Sequence, residues 1–230
     1  MSKIDFLKEQ IIEARTFVNR LMSELPEDLW YVIPEGTDSN FIWQVGHLLV
    51  SQNFHTLTAV TGVNEKVGRL VPIQKYNRIF NGMGTLHRSI EEGLIPVAEL
   101  REQTEIIHQI CIENLETLND DVLAECLQPL PFKHPVAETK YEALSWSFKH
   151  EMWHSAEMEA IKRDISSLRY EIRDFEDAFE KAQSELWRCM HEQEEAIEGL
   201  CQEQRSHLDE IAYNQETTSQ ALTLLSLFDE

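Results

Sequence analysis

Apolar residues recur at intervals of three and four through Ile4, Leu7, Ile11, Ala14, Val18, Leu21 and Leu25, the spacing that lines one face of an α-helix. This stripe predicts a helix over 3–25, stopped by Pro26. Nowhere does period-two alternation run between turn signals, so no sheet is expected. A connector through Pro34, Gly36 and Asp38 follows, and Asp38, Ser39 or Asn40 can cap a second helix running to about residue 60. Residues 61–96 carry Gly68, Gly82, Gly84 and Gly93 with prolines at 72 and 96. They read as a long, partly structured crossover with a short helix near Lys75–Phe80, of a length that usually shapes a site or spans a bundle end. A third helix covers about 97–118, with Leu100, Thr104, Ile107, Cys111, Leu115 and Leu118 on one face. The loop "LQPLPFKHP" leads to a fourth helix starting near Ala137. The expected fold class is all-α: a four-helix bundle with a long second-to-third helix connection.

Beyond Arg163 the chain has no proline and a single glycine, Gly199, and residues 168–230 hold 16 acids against 5 bases. Leu168, Ile172, Phe175, Phe179, Ala182, Leu186 and Cys189 keep a heptad-like rhythm that slips by one residue at Met190. The slip and the polar seam of Gln193, Gln204 and Gln215 argue against a long regular coiled coil. One or two additional C-terminal helices, packed on the bundle or on a second subunit, are expected, with a solvated, partly frayed helical tail as the even alternative. The domain reading is a bundle with the site over 1–165 and an acidic helical extension over 166–230.

Composition narrows function by exclusion. A formal charge of −21, from 20 basic and 41 acidic residues in 230, argues against nucleic acid and against an anionic membrane surface. No stretch approaches the ~18 apolar residues of a membrane span, and residues 1–25 show no export-signal pattern. Cys111, Cys126, Cys189 and Cys201 form no C-x-x-C pair and fit reduced thiols. The expectation is a soluble, cytoplasmic protein.

The chemistry lies in the histidines. His150 and His154, in "KHEMWH", are one helical turn apart, the separation at which two imidazoles can bind one ion. Ala143, Trp146, Trp153, Met158 and Ile161 surround their face and point it at the core. His47 shares an inward stripe with Trp43, Val50 and Phe54. Alone it would read as a hydrogen-bonded core histidine; with the other two it completes a three-ligand set whose fourth position is open to water or substrate. The remaining histidines read as peripheral: His55 nearer the surface, His87 and His134 in loops at most lining a site mouth, His108 at the edge of an apolar stripe, His191 and His207 solvated.

The same string satisfies H-E-x-x-H, the zinc-peptidase signature. Its extended form fails, because Glu157 and Ala160 stand where glycine and a third histidine belong. Glu171, Glu176 and Glu180 continue the same helix, and ~1.5 Å per residue carries Glu171 some ~25 Å past His154. Glu151 can simply face outward, so a peptidase is a distant alternative.

"WQVGH" on the second helix and "HEMWHSAEMEAIKR" on the fourth resemble the DinB-like (DinB/YfiT) superfamily, over about residues 1–165 and including "QKYNRIFNGMG". The resemblance implies a four-helix bundle holding a divalent metal, commonly zinc or nickel, through His47, His150 and His154. It also implies group transfer to or from a low-molecular-weight thiol in some members, isomerisation of maleylpyruvate in one branch, and frequent dimers. Where the family often has Gly-Gln after the last ligand, this chain has Ala156 and Glu157. Glu157 shares the face of His154 and is the candidate catalytic residue, as a ligand-orienting group, an ion ligand or a base; a hydrogen bond from behind the site is its plainer role.

These observations frame two expectations. One is a metal-dependent enzyme, a thiol S-transferase or hydrolase, that activates a small thiol or water and takes a small-molecule substrate past Trp43, Trp146 or Trp153 under the 61–96 connection. The other is a non-catalytic, metal-stabilised bundle whose acidic tail mediates homodimerisation or partner binding. A bundle whose histidines are only hydrogen-bonded is the remaining alternative.

Overall fold

The structure, a computed structural model, describes residues 1–81 and 88–226. Gly82, Gly84 and His87 lie outside the described residues. Helix α1 spans Lys3–Glu24. Ser2 opens it with a capping box: its hydroxyl accepts from the Asp5 N–H at 3.1 Å, and the Asp5 carboxylate accepts from the Ser2 N–H at 3.4 Å. That satisfies two backbone donors the first turn leaves unpaired. The predicted stripe from Ile4 to Leu25 is buried throughout.

Helix α2 spans Phe41–Gln52 and is capped by Asn40, whose side chain accepts from the Trp43 N–H. It is buried on nearly every side, which fits its continuous run of Phe, Ile, Trp, Val and Leu. A π-helical turn, Asn53–Thr58, prolongs it, a departure from α geometry that is frequent at functional sites. The crossover holds two short helices, α3 at Glu65–Leu70 and α4 at Ile73–Phe80. Sequence spacing indicated only the second. Helix α5 is Val97–Glu116 and α6 is Lys140–Ser226. Helices α1, α2, α5 and the first part of α6 form the four-helix bundle, with no strand among the described residues.

The returning crossover is tied to the start of α2. Ser39 Oγ donates to the Arg88 carbonyl at 2.7 Å, and Asn40 Nδ2 donates to the Ile90 carbonyl at 2.8 Å. At the other end the fully buried Phe80 ring lies against Gly46 so closely that a Cβ there would collide with it. This explains the glycine of "WQVGH": it lets α4 approach α2. Gly46→Ala is expected to cost about 1–3 kcal/mol by overpacking. Urea unfolding of the variant checks this, and an unchanged midpoint would mean that the ring moves aside freely.

The chain divides into two units, Met1–Arg169 and Tyr170–Glu230. In the second, α6 runs on as one helix, where sequence reading allowed one or two separate ones; without proline and with only Gly199, nothing in this stretch ends a helix. Every side chain from Tyr170 through Ser219 is exposed, including Phe175 at 71% and Trp187 at 65%. Among the described residues no helix is long and apolar enough to cross a membrane.

Candidate metal centre

His47 from α2 and His150 and His154 from α6 each offer one ring nitrogen, and these atoms lie within 4.8 Å of one another. Hydrogen bonds fix which nitrogens face inward. His47 Nδ1 is 2.8 Å from the Phe80 carbonyl, which can only accept, so Nδ1 carries the proton and Nε2 keeps its lone pair. His154 Nδ1 is 2.6 Å from Gln44 Oε1, while Gln44 Nε2 donates to Ser39 Oγ at 2.8 Å and to Glu157 Oε2 at 2.9 Å. The carboxylate fixes the amide's orientation, because a flipped Gln44 would set oxygen against oxygen. His154 therefore also holds its proton on Nδ1 and its lone pair on Nε2.

That Nε2 lies 3.2 Å from His150 Nε2. His150 Nδ1 is buried with no hydrogen-bond partner among the described residues. Without a cation, His150 must turn an N–H toward His154 and leave a buried nitrogen unsatisfied, which is costly. A shared cation resolves the convergence of lone pairs. The donor set of three imidazoles, two with the opposite nitrogen anchored, fits a divalent metal ion. Burial holds His47 and His150 neutral: it pushes His47 down to about 4, assisted by His154, and His150 down to about 2, assisted by His154, His47 and His55.

Glu157 sits at the Nδ1 edge of His154, 3.3 Å away, rather than among the inward nitrogens. It is bound by Gln44 and makes a short ion pair with Arg88. Burial opposes its ionisation, but hydrogen bonds from His154 and Arg88 prevail and carry it down to about 2. Glu151 does not face outward as the sequence suggested. It is 2% exposed, and its Oε1 lies 2.8 Å from Arg15 Nε of α1, an ion pair not aligned for a hydrogen bond. Arg15 Nη2 donates to Gln52 Oε1 at 3.0 Å, and Gln52 Nε2 donates to His108 Nδ1 at 3.0 Å. The peptidase glutamate is thus engaged inside the bundle.

His55 and His134 also depart from their expected peripheral places. Both are buried, and His55 Nδ1 lies 2.9 Å from His134 Nε2. His134 Nδ1 accepts from the Ala137 N–H at 3.0 Å and the Val136 N–H at 3.3 Å. The His55 ring stands 5.6 Å from that of His150. Their pairing depends on the loop before α6 folding back over the π-helical turn, which no periodicity records. The only local signal is the spacing of four from His47 to Ser51 to His55.

A cavity of about 680 Å³ opens on the cluster. Trp43, Phe54, Phe132, Trp146 and Trp153 give it an aromatic wall, with Trp153, 59% exposed, at the mouth. Trp43 stacks on His47 with centroids 4.8 Å apart.

Fold and site together define an all-α bundle with a histidine cluster that can hold a metal ion. The chain belongs to the DinB superfamily, a metal-associated group whose family model matches residues 10–158. No curated protein matches the sequence.

Proposed function

We propose that this chain is a metal-dependent enzyme of the thiol S-transferase or hydrolase type, acting in the cytoplasm on a small apolar molecule, with zinc or nickel held by His47, His150 and His154. The observation that carries this reading is the convergence of three inward nitrogens, one opposed by an orphaned Nδ1, at the floor of an aromatic cavity. A divalent ion there would supply Lewis acidity, making a low-molecular-weight thiol or a water nucleophilic near neutral pH. The chain does the rest. The Phe80 carbonyl and Gln44 orient two rings, Trp43 braces the third side of His47, and the aromatic wall excludes water from the bound electrophile.

Glu157 acts in this reading by holding Gln44, Arg88 and the Nδ1 edge of His154 in place. A carboxylate depressed to about 2 and already carrying these partners is a weak base. Single-turnover assays with a thiol and an electrophile, before and after chelation, test the reading. Turnover is expected to vanish with the metal and return on its replacement; turnover unchanged by chelation would contradict it.

A second reading rests on the extension, where Phe175, Phe179, Leu186, Trp187 and Ile197 are exposed on one long helix. It makes the extension a surface for homodimerisation or partner binding around a metal-stabilised bundle. Deleting residues 168–230 should then lower the number of chains per particle, read from the mass in solution against the mass of the shortened chain, and an unchanged dimer with unchanged stability would remove this reading.

A further inference from the structure

The cluster presents electron pairs to the cavity, whereas the neighbouring wall presents a proton. The direction follows from the backbone. The Ala137 and Val136 N–H groups can only donate, so His134 Nδ1 is an acceptor and its proton sits on Nε2. That proton is donated to His55 Nδ1 across 2.9 Å. His55 must then carry its own proton on Nε2. This nitrogen makes no hydrogen bond to another described residue. His55 lines the cavity beside His150, the side on which an N–H without a partner in the bundle would meet a ligand.

We propose that His55 Nε2–H, oriented by His134, is the hydrogen-bond donor that selects the cavity's ligand: an aromatic or otherwise apolar molecule carrying an uncharged acceptor oxygen of the carbonyl type. The inference rests on the cavity being a small-molecule site, as in the proposed function. For the group that meets His55, as distinct from any group that meets the ion, two observations choose an uncharged oxygen over a carboxylate or phosphate. The only charged side chains lining the cavity among the described residues are Arg88 and Glu157, and they are paired with each other, with Asp38 3.9 Å from Arg88. The dyad's donor is itself a neutral imidazole, well suited to a carbonyl and poor compensation for a buried anion. The ring system would lie against Phe54 and Phe132, stacked 5.4 Å apart, with Phe54 also stacked on His134 at 5.3 Å.

The test uses two probes of one shape, acetophenone and α-methylstyrene, in which a methylene replaces the carbonyl oxygen. Their affinities for the full-length, metal-loaded protein are read by tryptophan fluorescence, with metal content measured on the same samples. Acetophenone is expected to bind about 3- to 10-fold more tightly, the contribution of one neutral hydrogen bond. His55→Phe should erase that preference while keeping both the metal and the affinity for α-methylstyrene. A long-range 1H–15N imidazole spectrum of the unmodified protein should show His55 and His134 both protonated on Nε2, and this requires no variant to fold. Equal affinities, a preference that survives His55→Phe, binding of neither probe, or the opposite tautomer at His55 would each overturn the assignment. Samples lacking metal while the preference is present would instead count against the proposed metal chemistry and leave the dyad standing, so the two failures are distinguishable.

Discussion

Replacing Arg15 by methionine is expected to lower folding stability by about 3–5 kcal/mol, the scale of breaking a buried ion pair on one side only. Arg15 and Glu151 are 1% and 2% exposed, deep between α1 and α6. Removing the guanidinium leaves a carboxylate in the core with no cation, and Gln52 loses the donor to its Oε1. Burial already holds Glu151 up at about 6 against the pull of Arg15, so in the variant it would rise further. The loss should therefore be greatest above neutrality and shrink as the pH falls and Glu151 takes up a proton. The double variant Arg15→Met, Glu151→Leu should recover most of the lost stability, because an apolar pair of similar volume has no desolvation cost to offset. Urea unfolding at pH 5.5 and 8 checks both parts; a single variant within ~1 kcal/mol of the parent would show that the pair contributes little.

The second large effect is a loss of stability in mild acid. His47 and His108 are depressed by burial to about 4, His55 to about 3 and His150 to about 2, from an ordinary 6.5. For groups depressed in the folded state, the unfolded chain takes up protons first. Their contribution is fully present above about 6.5 and is lost as the pH falls toward the folded values. Each adds up to about 1.4 kcal/mol per pH unit to the slope. Glu151 acts in the opposite sense between its ordinary 4.5 and about 6, where its protonation favours the folded form. One group against four offsets only part of the loss. The urea midpoint of the metal-free protein should drop steeply between pH 6.5 and 5, and a flat midpoint over that range would contradict the neutral, buried state of these rings. Metal should steepen the fall, since protonated imidazoles release it.

Much of the fold is legible in the sequence because helical periodicity is a local property. The stripe from Ile4 to Leu25, the Asn40 cap and the start of the last helix all depend on neighbours within a turn or two. The three inward histidines are legible for the same reason: His150 and His154 declare a shared face, and His47 lies on an apolar stripe. Long-range features are not recorded this way. Arg15 reads as one more charged residue on an amphipathic helix until Glu151 is seen 2.8 Å away. Gln44, three residues before His47, becomes the anchor of His154 only across a separation of 110 residues. The His55–His134 pair requires both the π-helical turn and the folded-back loop. Gly46 alone of these carries a hint, since a glycine inside a strongly apolar helix signals a close approach, here by Phe80.

The central claim is that α2 and α6 together hold one metal ion, and elemental analysis of tag-free protein, parent and His47→Ala, tests it most directly. The account predicts one equivalent of zinc or nickel in the parent. It also predicts a loss of affinity in the variant greater than the ~10–100-fold that follows removal of a group merely supporting a ligand, so that metal is absent after dialysis. Metal retained at full stoichiometry in His47→Ala, or none bound by the parent after incubation with zinc and with nickel, would contradict it.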